Sequence, residues 1–214
     1  MKIPSFVWIL AVLILGGGFL ILLSNSKGDS VVANSSIPVQ VEVFADYNCS
    51  HCADFEPYLE KVQNTFGAKV NLQSKHLPFL APSSADYAYA AEAARLQNKF
   101  NEFNHDLFAW ISYKRDPANT SYSYSEDDIA FYSQDLSVTL LAERLSLDVN
   151  KFEEDRKSSA IISLVQSQKS DAIRRLGTTA TPTVFISGVK FDLKTYDDLQ
   201  NKVQEIINKI EGQK

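Results

Sequence analysis

Cys49-Ser50-His51-Cys52 follows the alternating, strand-like run Val39-Gln40-Val41-Glu42-Val43-Phe44, opens a helix-like run, and contains both cysteines of the 214-residue chain. Two thiols three positions apart in the first turn of a helix lie on one face, close enough to close a small disulfide and open it again. At a helix N-terminus, unpaired amides and the positive end of the helix dipole favour a thiolate over a thiol. The stretch therefore predicts a redox dithiol in which Cys49 is the nucleophile and Cys52 the resolving thiol.

His51 lies between the two cysteines, where it can offer positive charge or a hydrogen-bond donor to the Cys49 thiolate. Stabilising the thiolate stabilises the reduced protein and makes the disulfide a stronger oxidant. The alternative is that His51 is only an exposed polar spacer, since its position is all that the sequence shows. We therefore treat His51 as a candidate catalytic residue that tunes the redox potential.

Two other interpretations of the cysteine pair stay open. A zinc site needs about four ligands, and beside two cysteines the chain offers three histidines, His51, His76 and His105. A purely structural disulfide across so short a loop contributes only about 2 kcal/mol in the chain-entropy treatment. The sequence indicates neither a metal nor an organic cofactor.

The composition is typical of one ordinary globular domain, with 45% hydrophobic and 22% charged residues. The net charge is -5 at pH 7, and no long run of lysine and arginine occurs. These features argue against nucleic acid as a partner.

The N-terminal residues 6–23 carry neither a charge nor a side-chain amide, and as a helix they would reach about 27 Å. With Lys2 in front of it, this run predicts an uncleaved membrane anchor that leaves the rest of the chain outside the cytoplasm. Cleavage as a signal peptide is the alternative, because Ser24 and Ser26 have cleavage-like spacing. We assign residues 1–24 to this signal or anchor segment and the polar residues 25–37 to a linker.

The next part of the chain predicts a βαβ unit over residues 38–80. Residues 70–77 alternate like a second strand, and the helix before them contains Pro57 and ends at Gly67. A crossover of this kind favours parallel strands.

Residues 81–176 then have a helical pattern, with an aromatic stripe between Phe100 and Trp110 and a capping box at Ser125. One helix is predicted to run through Ile129 and Leu140, and another from about residue 148 to Gly177. Residues 177–214 predict a β-hairpin with its turn at Gly188, followed by an amphipathic helix.

Assembled in this order, the chain resembles the DsbA-like thiol-disulfide oxidoreductases, which have an α/β thioredoxin-like fold with an inserted all-helical subdomain. The matching pieces are Asp46-Tyr47-Asn48-Cys49-Ser50-His51-Cys52, Ala90-Ala91-Glu92-Ala93-Ala94 with Lys99-Phe100, Leu147-Asp148 with Phe152, and Thr181-Pro182-Thr183. The resemblance implies that the bond before Pro182 is cis, that Pro182 lies against the cysteines, and that the residue before it pairs its backbone with substrate peptide. By resemblance, Pro182 is a candidate catalytic residue, and Thr181 and Ser50 are candidate substrate-binding residues.

Two departures from that family concern the site. Ser50 stands where the common dipeptide has proline, so the family's redox potential does not carry over. Val43 stands where some relatives have a buried acid, and the alternation of the strand directs Glu42 to the opposite face.

The sequence thus predicts a monomeric thiol-disulfide oxidoreductase of the cell envelope, on the extracytoplasmic side of the cytoplasmic membrane. It would introduce disulfides into cysteine-containing exported polypeptides, with a membrane quinone reductase of the DsbB or VKOR type implied by the resemblance as electron acceptor. A disulfide reductase or isomerase of the same fold is the alternative enzyme. A membrane-tethered peptide-binding or chaperone module with a static disulfide is the alternative that is not an enzyme.

Overall fold

The computed structural model describes residues 37–177 and 179–212. The predicted anchor at residues 6–23 lies outside this range, as does the predicted linker apart from Ile37. Within the described range, no helix is long and apolar enough to cross a membrane. The elements in chain order are β1 (Val39–Ala45), α1 (Ser50–Phe66), a 3₁₀ turn (Gly67–Lys69), β2 (Val70–His76), α2 (Ser84–Arg95), α3 (Phe100–Arg115), α4 (Glu126–Tyr132), α5 (Val138–Arg144), α6 (Val149–Asp155), α7 (Ser159–Leu176), β3 (Thr183–Ile186), β4 (Val189–Phe191) and α8 (Asp197–Gly212).

The four strands of the described residues form a mixed sheet in the order β2-β1-β3-β4. As predicted, β1 and β2 are parallel, in register from Val39 beside Val70. β3 is antiparallel to β1 and forms the predicted hairpin with β4. The hairpin turn consists of Ser187 and Gly188, with φ of 50° and 81°, the backbone that matches the twist of paired strands.

One face of the sheet is covered by α1 and α8, which pack on it through a cluster of apolar side chains. The buried residues of this cluster include Val41 and Val43 of β1, Phe55, Leu59 and Val62 of α1, and Leu199, Val203 and Ile207 of α8. Because strand residues alternate between faces, the next residues of β1 point to the other side.

That other side is covered by α7. There the rings of Phe44 and Phe185 pack edge to face, with centroids 5.9 Å apart, against Ala172 of α7. Glu42 accepts a hydrogen bond from Arg175 of α7 at 2.9 Å. The strand alternation therefore places Glu42 away from the face that Val43 shares with α1.

The six helices between β2 and β3 form the insertion, which has its own core. The aromatic stripe is buried as predicted, with Phe103 and Trp110 fully inaccessible to solvent. The Trp110 indole N–H donates to the Tyr132 carbonyl at 3.0 Å. Across from the stripe, α2 presents small alanines, which allow close approach of the two helices.

Two predicted helices are each divided in the structure. The helix predicted through Ile129 and Leu140 is interrupted between α4 and α5, where the Ser137 hydroxyl accepts from the Leu140 amide. The helix predicted from about residue 148 is interrupted before α7, where Ser158 caps the next helix in the same way. Apolar periodicity continues across both breaks, so the caps decide where the chain turns.

Candidate active site

The first turn of α1 places the two sulfurs together. Cys49 is the residue before the helix, with an extended backbone (φ -87°, ψ 118°), and its carbonyl accepts from the Ala53 amide at 3.1 Å. Cys52 lies one turn further on. Both are free thiols, with 7% and 3% of their surface exposed.

The environment of Cys49 favours its thiolate. Its pKa is lowered from 9.0 to about 6, above all because the Cys52 thiol hydrogen-bonds to the Cys49 sulfur. Burial opposes this shift, whereas hydrogen bonds from Thr181 and from the backbone amides of Cys52 and His51 add to it. The amides are the unpaired donors of the helix N-terminus that the sequence predicts at this position.

Cys52 has the opposite preference. Burial is the main reason that its pKa lies well above the ordinary value, and the hydrogen bond and negative charge of Cys49 raise it further. Near neutral pH one sulfur is therefore a thiolate and its neighbour a thiol. This division is what a nucleophile and a resolving thiol require.

The second wall of the site is the loop that leads into β3. The Thr181–Pro182 bond is cis, and the Cys49 thiol donates to the Thr181 carbonyl at 3.4 Å. Thr181 lies two residues before the start of β3, so its backbone is not part of the hydrogen-bonded pairing between β3 and β1. The structure thus brings Cys49, Cys52, Thr181 and Pro182 together, as the resemblance implies.

His51 and Ser50 open onto different clefts. The exposed His51 lines a cleft of about 680 Å³ with Pro182 and Tyr196. Ser50 lines a groove of about 620 Å³ with Asp54, on the side of the insertion. Within the described part of the chain the His51 imidazole has no hydrogen-bond partner. His51 contacts the Cys49 sulfur only through its backbone amide.

Tyr196 separates these two clefts and has no signal in the sequence. Its ring packs on Phe55 and Tyr58 at 5.2 and 5.0 Å between centroids. Its hydroxyl donates to the His51 carbonyl at 3.4 Å. Since these partners lie far away in the chain, only the fold reveals that Tyr196 belongs to the site.

Glu56 is a buried acid that the sequence analysis missed. It lies one helical turn after Cys52, and its carboxylate accepts from Asn104 of α3 at 2.5 Å. Burial, followed by the charge of Glu60, raises its pKa from 4.5 to about 7. At the strand position where some relatives have an acid, Val43 is buried among apolar side chains. The sequence signal for Glu56 is its spacing of four residues from Cys52, which places the two side chains on the same face of α1.

No cluster of three or more histidine, cysteine, aspartate or glutamate side chains suited to a metal ion occurs in residues 37–177 and 179–212. The chemistry that the site offers is that of the two thiols.

Comparisons with known proteins give the family. The thioredoxin family matches residues 25–205, most of the chain. Among solved structures, the thiol-disulfide exchange protein alpha-DsbA2 from Wolbachia pipientis is 21% identical, with a TM-score of 0.61 over 81% of this chain and 84% of that one. BdbD from Bacillus subtilis is also 21% identical, with a TM-score of 0.58 over 82% of this chain and 89% of that one. At these identities the structures show a shared fold.

Curated relatives include longer proteins. The Na(+)/H(+) antiporter NhaA 3 of Salinispora tropica is 31% identical over 165 residues, which are 75% of this chain and 22% of the antiporter. NhaA 1 of Mycolicibacterium vanbaalenii is 26% identical over 166 residues, 76% of this chain and 24% of that protein. The chain spans about a quarter of the length of these relatives. It belongs to the thioredoxin family, and it shares the fold of the DsbA-like structures.

Proposed function

We propose that the protein oxidises pairs of cysteine thiols in exported polypeptides, on the extracytoplasmic side of the cell envelope. The observation that carries this proposal is the opposite proton affinity of the two sulfurs, with a pKa of about 6 for Cys49 and a raised pKa for Cys52. A stabilised thiolate favours the reduced protein, so the disulfide readily passes to a substrate. Disulfides persist in oxidising compartments, which supports a location outside the cytoplasm.

The size of this effect follows from the Cys49 pKa. One pKa unit corresponds to about 1.4 kcal/mol, which for a two-electron couple is about 30 mV. A pKa of about 6 lies about one unit below pH 7, so the thiolate moves the potential by about 30 mV in the oxidising direction. Cys52 adds nothing at pH 7, because it is a thiol there with or without its shift.

The reaction begins with the Cys49–Cys52 disulfide. A substrate thiolate attacks the Cys49 sulfur, a mixed disulfide forms, and Cys52 leaves and takes up a proton. A second substrate thiolate then attacks the substrate sulfur and releases the Cys49 thiolate. The substrate loses two electrons and gains a disulfide, and the enzyme becomes a dithiol. A leaving thiolate of low pKa speeds this second step.

Cys52 can also reverse the first step of the reaction. Attack of its thiolate on Cys49 in the mixed disulfide would release the substrate still reduced. Because its pKa is raised, Cys52 is rarely a thiolate at neutral pH, and the mixed disulfide lasts until the second substrate thiol arrives.

The cleft beside Pro182 is where we place the substrate polypeptide. Besides His51 and Tyr196, its walls include the apolar side chains of Phe191 and Leu193. A peptide here lies against the Thr181 backbone, which can pair with an extended chain as in other strand-addition sites. Each turnover leaves a dithiol, and the electron acceptor that we propose is a membrane quinone reductase of the DsbB or VKOR type.

The test is equilibration of the full-length protein against glutathione buffers, combined with oxidation of a reduced peptide that contains two cysteines. We expect a potential above that of thioredoxin, about -270 mV, and stoichiometric peptide oxidation by the disulfide form. Cys49→Ser should abolish the reaction, and Cys52→Ser, given the disulfide form of the same peptide, should trap a mixed disulfide because its Cys49 thiolate attacks that disulfide and no second thiol follows. A potential near that of thioredoxin would contradict oxidation and favour the reductase alternative.

A second arm of this experiment concerns His51. Replacing it by alanine retains the backbone amide that contacts Cys49 and removes only the exposed imidazole. We therefore expect His51→Ala to lower the potential by less than about 30 mV, the equivalent of one pKa unit of Cys49. A larger fall would contradict this expectation and show that the imidazole itself stabilises the thiolate.

A further inference from the structure

Asp46 lies in the turn between β1 and α1, and its buried carboxylate is fully occupied by four donors. One oxygen accepts from the Asn48 amide at 2.9 Å and from the Ser84 hydroxyl at 2.7 Å. The other accepts from the Phe79 and Leu80 amides at 2.8 and 2.9 Å. With only 1% of its surface exposed, this side chain has its hydrogen-bonding partners within the protein.

The same residue also holds the reactive cysteine through its backbone. Its carbonyl accepts from the Cys49 amide at 3.0 Å, while its side chain accepts from Asn48. Two successive amides of the turn are therefore tied to Asp46. This arrangement fixes the extended backbone of Cys49 and the direction in which its sulfur meets the amides of the first helical turn.

The other partners of Asp46 belong to the entrance of the insertion. Ser84 is the first residue of α2, yet its hydroxyl does not cap that helix. It donates to Asp46, and it accepts from the Ala81 amide at 3.1 Å and the Asn48 side chain at 3.0 Å. Ser84 thus joins the insertion to the active-site turn.

We propose that Asp46 is a positioning residue for the reactive thiol, because it clamps the turn before Cys49 onto the loop that opens the insertion. This inference rests on the thiol-disulfide chemistry of the site and holds for either direction of net transfer. It assigns Asp46 no contact with substrate.

A positioning role of Asp46 and a purely electrostatic role predict opposite changes in the Cys49 pKa when the carboxylate is removed. A carboxylate that acted on Cys49 only through its negative charge would disfavour the thiolate, so removing it would lower the Cys49 pKa. If the carboxylate holds the turn, removing it loosens the amides that stabilise the thiolate, and the pKa rises. The main groups that lower the Cys49 pKa are Cys52, Thr181 and the backbone amides of Cys52 and His51.

The experiment is titration of the Cys49 thiolate, by its ultraviolet absorbance and by its alkylation rate, in the reduced full-length protein. In Asp46→Asn an amide group faces at least one of the backbone donors. We expect the Cys49 pKa to rise by about one unit, which lowers the alkylation rate at pH 5 about tenfold. Ser84→Ala removes one of four donors and should give a smaller rise.

Asp54→Asn is the matched control, since it removes a carboxylate from the exposed side of α1 and leaves the turn intact. Its Cys49 pKa should stay unchanged or fall slightly. A folded Asp46→Asn with an unchanged or lowered pKa overturns the proposal, even if it is less stable. If Asp46→Asn does not fold, Ser84→Ala decides on the same criterion. A low wild-type redox potential would contradict the proposed oxidation and leave this result untouched.

Discussion

Helix α1 has two buried faces that are built differently. Toward the sheet and α8 it presents Phe55 and Leu59, which are buried in a cluster of apolar side chains. Toward α3 of the insertion it presents Glu56, which binds Asn104, and Glu60, which binds His105. The energy of apolar contacts does not depend on protonation, whereas that of the polar face does. A change of pH therefore changes the stability of the contact between α1 and the insertion.

The sign of this effect follows from the raised pKa of Glu56. Its pKa is about 7 in the folded protein and 4.5 otherwise, so the folded state binds the proton more tightly. Stability is highest below pH 4.5 as far as this group is concerned, and it falls as the pH rises through 7. The full effect above pH 7 is on the order of 3 kcal/mol. His105, whose pKa is raised by Glu60, acts in the same direction, because its stabilisation is lost as it deprotonates.

The largest effect is expected on the apolar face. Phe55→Ala removes a ring with 0% exposure, and such changes lower the free energy of unfolding by about 3 to 5 kcal/mol. Urea unfolding at pH 5.5 and pH 8 should give the same loss. Leu96→Ala, at a residue that is 57% exposed, is the control and should stay within about 0.5 kcal/mol. A loss that differs between the two pH values would show that the stability of the apolar face also depends on protonation.

A smaller and pH-dependent effect is expected on the polar face. Glu56→Gln keeps the shape and can still accept from Asn104, but it has no charge to bury. The variant should gain about 3 kcal/mol of unfolding free energy at pH 8 and about 1 kcal/mol at pH 5.5. Stability measured across this range should therefore be flatter than in the wild type. If the wild-type slope persists in Glu56→Gln, another group causes it.

The smallest effect is expected at the edge of the same face. Glu60 and His105 are 2.7 Å apart, with 41% and 39% of their side chains exposed, and such surface pairs contribute about 0.2 to 1 kcal/mol. Glu60→Gln should reduce stability by less than 1 kcal/mol at pH 6. At pH 9 the reduction should give way to a small gain, since His105 is then neutral and the Glu60 charge only repels the Glu56 carboxylate. An effect as large as that of Glu56→Gln would show that the Glu60–His105 pair, and not Glu56, causes most of the pH dependence of stability.

The sequence predicts those parts of the fold that local signals control. Strand alternation in β1, the stop at Gly177 with φ of 69° and the hairpin turn at Gly188 are each decided within a few residues. The cysteine spacing likewise predicts the geometry of the first helical turn. These features follow from chain geometry and backbone preferences alone.

The rest depends on partners that are distant in the chain. Glu56 is a buried acid only because α3 supplies Asn104, 48 residues away, and Tyr196 reaches His51 across 145 residues. Asp46 stands in the motif that carries the resemblance, but its role depends on the loop that follows β2. The breaks before α5 and α7 were missed because apolar spacing outweighed a single capping serine in the pattern.

The contact between the Cys49 sulfur and the Thr181 carbonyl spans 132 residues of chain, and this distance bears on how the protein is made. As the chain emerges during synthesis, its N-terminal side first, the cysteine pair is out long before Thr181 and the strand that follows it. Until then β1 lacks its antiparallel neighbour β3, and such distant pairings are slow to form. A nascent chain therefore displays two cysteines at the right spacing without a finished site around them. Only the arrival of residues 181–186 completes the surroundings of this pair of thiols.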